Sequence, residues 1–385
     1  MELVGEEALL DRKQSPPSAG GNLSEYGGII KLAGLIAETE NIDEATTWWC
    51  TAIARFVLDL PPGRVTFSLN YRGAEAAPDI DHLCYVIKQA AEGRSLRFLL
   101  PKSGEQQLSS AQILHHKLLP PDGYDFTLLK KENWLGVALT TQVQDIDSYR
   151  RRDEGRPYRA DDRGMMPLKL CQTLINLAGL SEGRNREKLL LDPFCGSGSI
   201  LQEAWLQRFQ VMGSDLNPQA IAESEANLNW VARQYKRTAE GWSLLAHDVR
   251  RIDQISPPCS VDGVVSEGYL GKLFSHMPTA QEIKKQNREL IPLYRDGLKA
   301  MAKLLKPGSP VVLCLPYYLS EAQSLLPDLL DALNGIPYNY QSLLPEHFVK
   351  ANEVGISDTN PRGSYIYSRP GQIIGREIFR LNKTL

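Results

Sequence analysis

Residues 189–201 read Leu-Leu-Leu-Asp-Pro-Phe-Cys-Gly-Ser-Gly-Ser-Ile-Leu, and the folding of this stretch decides the architecture. An apolar run ends in Asp192, passes through the turn Cys195-Gly196-Ser197-Gly198 and enters a helix-like segment, 200–208. Glycine belongs where a backbone turns sharply or approaches a ligand closely, and a helix start offers unpaired N–H donors. A second strand, 211–215, again ends in an acid, Asp215. In nucleotide-binding α/β folds that position takes the ribose hydroxyls. The third glycine or alanine of the dinucleotide fingerprint is replaced here by bulky Leu201. An ordinary strand-to-helix turn is the bland alternative.

The full run Asp-Pro-Phe-Cys-Gly-Ser-Gly-Ser-Ile-Leu-Gln-Glu, 192–203, resembles the cofactor-binding motif of S-adenosylmethionine-dependent methyltransferases that act on RNA amino groups. The resemblance implies that Asp192 and the turn Cys195, Gly196, Ser197 and Gly198 hold the methionine end, with Asp215 on the ribose. Asp248, after a third strand at 242–248, would reach the adenine, and Phe194, Leu216, Asn217 and Val249 complete the implied cofactor set. Further strands read at 262–267, 310–316, 365–368 and 375–381, the last two as an antiparallel hairpin. Strands alternating with helices imply a parallel, doubly wound sheet with its ligand at the strand C-termini.

The chain has 385 residues, enough for two or three domains. No apolar run approaches the roughly 18 residues of a membrane span, and the acidic start, 1–7, is not a secretory signal. Residues 11–22, rich in Ser, Pro and Gly, read as a flexible lead-in. The six cysteines form no Cys-x-x-Cys pair, so neither a disulfide framework nor a metal site is suggested, and a reduced, cytoplasmic protein is expected. A net charge of −3 argues against a nucleic-acid binder, but phosphate affinity depends on local charge. Residues 149–163 hold six arginines, among them Arg150, Arg151, Arg152 and Arg163, interleaved with two tyrosines. A nucleic-acid contact is one reading, and a solvated, salt-bridged linker is the other.

Ahead of this linker, an amphipathic helix at 44–58 follows a strand at 26–33. Next come an alternating strand at 64–71, a helix at 80–91, a strand at 95–100, a Ser-capped helix at 108–118 and strands at 124–129 and 134–142. Leu96-Arg97-Phe98, Ser110-Ala111-Gln112 with Lys117, and the run 137–145 resemble the THUMP domain, an RNA-binding module of tRNA-modifying enzymes. The join 145–157, with Arg163-Gly-Met-Met-Pro-Leu-Lys-Leu170, resembles the corresponding segment of tRNA guanosine-N2 methyltransferases acting on position 10. That resemblance implies that Met165 and Pro167 pack on the cofactor pocket and that Arg163 and Lys169 face substrate or cofactor. The bland alternative is that Pro167 begins a helix and Lys169 is solvated. The expected fold class is therefore α/β, a doubly wound, Rossmann-like class I methyltransferase domain preceded by an α/β THUMP-like RNA-binding domain. Its expected parts are 1–60 and 61–148 for RNA binding, 149–180 as Arg-rich linker and pocket-covering helix, and 181–385 for methyl transfer.

Methyl transfer to an amine needs in-line alignment and a polar environment for the nitrogen. A guanine amine is delocalised, so an acceptor for its N–H and an aromatic face for the base are required. Amino-methyltransferases resembling this one carry Asp or Asn, Pro-Pro, then Tyr or Phe after the fourth strand. Here the stretch is Ser266-Glu267-Gly268-Tyr269, close to a Thr-Glu-Pro-Tyr-like variant of bacterial relatives except at Gly268. Glu267 replaces the missing acid, Tyr269 keeps the aromatic place, and Ser266 stands where the first acid would be. The expected function is S-adenosylmethionine-dependent methylation of guanine N2 in tRNA. Alternatives are a weakened or inactive RNA-binding homologue, another RNA amino group as acceptor, and a nicotinamide oxidoreductase sharing only the glycine turn. Relatives either act alone or need a small activating subunit. His247 reads as structural rather than as a general base.

Overall fold

The structure is a computed structural model that describes residues 2–4, 7–10, 29–73, 75–101, 107–159, 166–180, 187–343 and 363–384. The lead-in at 11–22 and Arg163, Gly164 and Met165 lie outside the described residues. The chain divides into two compact units, Met1–Tyr149 and Arg150–Leu385.

The first unit is a mixed sheet in the order β1-β2-β3-β7-β6-β4-β5. Its strands are β1 (Glu2–Val4), β2 (Glu7–Leu10), β3 (Lys31–Thr39), β4 (Arg64–Gly73), β5 (Ser95–Phe98), β6 (Tyr124–Lys131) and β7 (Trp134–Val143). Helices α1 (Ala45–Leu58) and α2 (Ile80–Ala90) bury Ile53, Val57, Leu83 and Ile87 in a core shared with Phe67, Phe126 and Val137. The expected cap of α3 (Ser110–His115) forms as a capping box between Ser109 and Gln112. The strand expected at 26–33 lies further along, because Ala33–Ala37 is half-buried throughout and bulged at Leu32/Ala33 and Leu35/Ala37. Such a segment lacks the period-two pattern that marks a one-sided strand.

Four strands of this sheet meet at one buried carboxylate. Asp125 on β6 accepts from Lys31 Nζ at 3.0 Å, Asn70 Nδ2 at 2.8 Å, Thr140 Oγ1 at 2.6 Å and Ser68 Oγ at 2.5 Å. A buried ion is tolerated only when paired and hydrogen-bonded, and these donors come from β3, β4 and β7. The knot fixes the register of β3, β4 and β7 relative to β6, since a one-residue slip would carry each donor to the other face.

The second unit opens with α4 (Ile146–Glu154), which begins in the first unit, and continues with α5 (Leu168–Leu177). Its strands are β8 (Leu189–Asp192), β9 (Gln210–Asp215), β10 (Trp242–Ala246), β11 (Gly263–Ser266), β12 (Pro310–Tyr318), β13 (Gln323–Ser324), β14 (Tyr338–Gln341), β15 (Tyr365–Tyr367) and β16 (Ile374–Lys383). They run β10-β9-β8-β11-β12-β16-β14, parallel from β10 to β12 with β16 antiparallel. This is the doubly wound, Rossmann-like sheet that the alternation of elements implied. Successive residues leave opposite faces of each strand: Leu190, Val265 and Val312 pack with α5, α6 (Ser199–Leu206) and α7 (Pro218–Gln234). Leu191, Val264 and Val311 pack with α8 (Ala280–Leu304) and α9 (Leu326–Ala332). The hairpin expected at the chain's end forms as β15 and β16. Sequence reading missed β14, whose half-buried Tyr338-Asn-Tyr-Gln341 also joins β16. The order of strands reverses between β8 and β11, which places a ligand crevice at their C-terminal ends.

Replacing Asp125 with Ala removes the buried acceptor shared by Lys31, Ser68, Asn70 and Thr140 and is expected to cost about 3–5 kcal/mol. Amide hydrogen exchange on the whole chain should accelerate in β4, β6 and β7 and stay unchanged in β8, β9 and β11. Equal protection in β6 before and after the substitution would refute the role given to the knot.

Candidate active site

Four strand ends build the site. Asp192 closes β8 and is buried, its Oδ1 accepting from Phe194 N at 3.2 Å and from Ser266 Oγ, at the end of β11, at 2.6 Å. Burial pushes the Asp192 carboxyl up to about 7; the Ser266 and Phe194 bonds oppose this, and the nearby Asp215 and Glu267 charges add to it. Asp215 closes β9; its Oδ2 accepts from Gly196 N at 3.0 Å and its Oδ1 from Asn217 N at 2.9 Å. Gly196 and Gly198 both take positive φ, 51° and 85°, the backbone that favours glycine. A Cβ at Gly198 would stand 2.3 Å from Ser224 Oγ, whereas one at Gly196 would meet nothing within 4 Å. The turn is thus packed tightly behind Gly198 and open at Gly196.

At the end of β11, Glu267 is bound by Arg376 of β16, with Nε 2.6 Å from Oε1 and Nη2 on the same oxygen. Arg376 is 6% exposed and Glu267 25% exposed, so the pair sits at the rim with its anchor inside. With both bonds on Oε1, Oε2 remains for a further donor. Burial raises the Glu267 carboxyl above its ordinary value, and the Arg376 charge and hydrogen bond counter it. Gly268 has φ 75°, a conformation closed to proline. A Cβ there would stand 2.4 Å from Tyr294 Oη and 2.8 Å from Cys314 O. The departure from the proline-containing pattern is therefore a differently shaped loop held firmly, not a loosened one. Tyr294 Oη donates to Tyr269 O at 2.9 Å, and Tyr269, two residues after Glu267, is 46% exposed.

Several expectations change on this geometry. Ser266 is buried and bound to Asp192, so it positions β11 against β8 and cannot meet a substrate base. Cys195 is also buried, its backbone N donating to Ser214 O at 2.9 Å, and its side chain belongs to the core. Val249 is buried against Gly297, which leaves only its backbone for a ligand. Asp248 is engaged by Arg250 through Nε at 3.0 Å and N at 2.9 Å, which holds its carboxyl below the usual range. An adenine amine would share that carboxylate with Arg250.

Arg152 is the clearest correction. It is buried, donating Nε to Glu203 Oε1 at 2.8 Å and Nη1 to Tyr235 Oη at 2.9 Å, so it cannot contact a nucleic acid. Gln172 Nε2 completes Glu203 at 2.7 Å. Arg156, which sequence reasoning did not single out, donates to Ser199 Oγ at 2.7 Å in the first turn of α6. Asn227 ties Tyr158 O at 3.0 Å to Ser197 O at 2.9 Å. The arginine-rich segment is in this part a strap on the glycine turn. Arg150 is exposed and paired with Glu154 at 2.9 Å; Arg151 and Lys169 are exposed. His247 Nε2 lies 2.8 Å from Arg251 O, a structural role as expected. Arg376 was also missed, because β16 carries Glu377, Arg380, Asn382 and Lys383 as well and nothing local sets this arginine apart.

The site fits S-adenosylmethionine. The nearby charges of Asp215 and Glu267 add to the cost of ionising buried Asp192, a situation that a cationic sulfonium and ammonium would relieve. The open face of Gly196 and the first turn of α6 offer space and N–H groups for a carboxylate. Leu216, 73% exposed at the tip of β9, and Asn217, the N-cap of α7, line the same edge.

Residues 156–321 match the sequence model of the UPF0020 family, described as an RMKL-like methyltransferase domain. The chain is 30% identical over 165 residues to a tRNA (guanine(10)-N2)-dimethyltransferase of Methanothermobacter thermautotrophicus, a match covering 42% of each protein. It is 27% identical over 158 residues to a probable tRNA (guanine(10)-N2)-dimethyltransferase of Methanothermococcus thermolithotrophicus, covering 41% of this chain and 93% of that one. The crystal structure of TrmN from Thermus thermophilus aligns over 96% of this chain and 88% of that one, at 18% identity and a TM-score of 0.47. Residues 156–321 thus match an RMKL-like methyltransferase domain, and over about 160 residues the chain is similar in sequence to tRNA (guanine(10)-N2)-dimethyltransferases, spanning less than half the length of the first of them.

Proposed function

We propose that this chain transfers a methyl group from S-adenosylmethionine to the exocyclic N2 of a guanine in tRNA, at a position-10-like site. The observation that carries the reading is Glu267, a carboxylate held by Arg376 through Oε1, with the exposed Tyr269 two residues further along the same loop. When bound, S-adenosylmethionine supplies an activated methyl whose departure leaves a neutral thioether. Glu267 Oε2 accepts an N–H of the guanine amine, localises the nitrogen lone pair toward the methyl, and takes up the proton released once the new N–C bond forms. Arg376 counters the effect of burial on that carboxylate and aims it. Tyr269 holds the base by its face. Asp215 shapes the turn through Gly196 and offers its remaining lone pairs to ribose hydroxyls.

Arg151, Lys169 and Arg163 remain the proposed phosphate contacts in this unit, with Arg150 shared between Glu154 and RNA. The domain assignment proposed is RNA capture by the first unit and methyl transfer by the second. All six cysteines are free, which accords with a cytoplasmic setting. Among the described residues no helix is long and apolar enough to cross a membrane.

Labelled S-adenosylmethionine with unmodified bulk tRNA, followed by nucleoside mass spectrometry, tests the reading. N2-methylguanosine formed by the chain alone supports it and dispenses with an activating subunit; formation of a different methylated nucleoside refutes the acceptor. Glu267→Gln should lower turnover by about 10²-fold with the cofactor Kd nearly intact, and unaltered turnover would remove Glu267 from the mechanism. Asp215→Ala should weaken cofactor binding by at least about tenfold, read by calorimetry. Asp192 adds a pH dependence: a cationic ligand favours its ionised form, so binding must expel a proton below a pKa of about 7. Affinity should rise as pH climbs through 7 and level off above it. The Asp192→Asn variant should lose that slope; a slope kept in the variant assigns it elsewhere.

A further inference from the structure

The loop that follows the reactive carboxylate is apolar at its tip yet anchored at both flanks. Between β11 and α8 the chain exposes Tyr269 at 46%, Leu273 at 73% and Met277 at 55%, with exposed Lys272 among them. Side chains of this kind left in water forgo the gain of burial, and several exposed along one short loop mark a surface that meets something. A flexible loop would explain the exposure trivially, but this one is framed.

Gln286, buried on α8, clasps the loop backbone from both sides, accepting from Lys272 N at 3.0 Å and donating to Leu270 O at 3.4 Å. It is itself held by Tyr318 Oη at 3.2 Å, which donates to Asn287 Oδ1 at 2.9 Å. Gly271 has φ 90°, and a Cβ there would stand 2.2 Å from Gln286. The far flank closes in a capping box, Thr279 with Glu282, and Glu282 also meets His276 Nε2 at 3.2 Å. Ser320 Oγ donates to Pro278 O at 3.0 Å. Three buried polar residues, Gln286, Asn287 and Tyr318, are spent on the shape of a solvent-facing loop.

Building on the proposed function, we infer that Leu273, supported by Met277, is a wedge that enters the base stack of an RNA stem when the target guanine is drawn out toward Glu267. A base inside a duplex must leave its stack before its amine can be reached, and apolar side chains inserted between base steps are the recurring means of unstacking. The loop is continuous in sequence with Glu267 and Tyr269, so wedge and receiving aromatic stand on one framed segment. Lys272 supplies the cation for an adjacent phosphate. Framing the loop beforehand spares the ordering entropy at binding.

The test compares two substrates, a tRNA transcript with the target guanine paired and the same transcript with an abasic residue opposite that guanine. In the full-length protein, Leu273→Ser should lower kcat/KM on the paired substrate about tenfold more than on the abasic one, and Leu273→Met should restore most of the ratio. Equal losses on both substrates, or none, would overturn the wedge while leaving the proposed function standing. A wild-type chain that methylates neither tRNA overturns both. A dimer of the wild type in sedimentation that Leu273→Ser disrupts would assign the surface to a second copy and likewise overturn the wedge.

Discussion

An acid at the end of a strand buried on both faces has to find donors or lose its charge, and everything at the active end follows from how Asp192 meets that demand. Its Oδ1 takes Ser266 from the neighbouring β11 and the backbone of Phe194 from its own turn. The two central strands are thereby locked tip to tip at the point where strand order reverses. The glycine turn leaves from one strand and the Glu267 loop from the other, so the strand ladder and this hydrogen bond at its tip together set the spacing between the two halves of the site. The donors do not neutralise the cost of burial, which is why Asp192 ionises only near neutrality. A cationic ligand completes what the protein leaves unbalanced.

The second carboxylate is governed by a different part of the chain. Arg376 lies on the antiparallel β16, 109 residues from Glu267, and reaches it because β16 inserts between β12 and β14. Gly268 and Tyr294 then set the direction in which the chain leaves Glu267. A proline in place of Gly268 would demand a different path, so Ser-Glu-Gly-Tyr is a self-consistent alternative to the proline-stiffened loop. The rigidity that proline would supply from within comes here from α8 outside.

Charge on the linker divides by depth. Arg152 and Arg156 face Glu203 and Ser199 on α6, while Arg150 and Arg151 stay exposed on the same short segment. In sequence these arginines are equivalent, because nothing local distinguishes a cation whose counter-charge lies 51 residues ahead. Only the approach of Arg152 to Glu203 and of Arg156 to Ser199 does so. The strap shows that the residues leading into the second unit also brace its cofactor turn.

The sequence by itself determined the alternation of elements, the strand tips Asp192, Asp215 and Glu267, and the glycine turn, because these rest on local periodicity and on backbone conformations that few residues adopt. It also contained the Ser109 cap and every strand of the second sheet's parallel half. Tertiary structure alone decided which of the polar residues touch a ligand and which hold the frame. Ser266, Cys195 and Arg152 went inward, Arg376 and Gln286 emerged as supports, and the half-buried β14 became a strand only through its pairing with β16. The reason is physical: a polar side chain's role is fixed by its partner and by its distance from water, and both are set by segments remote in sequence.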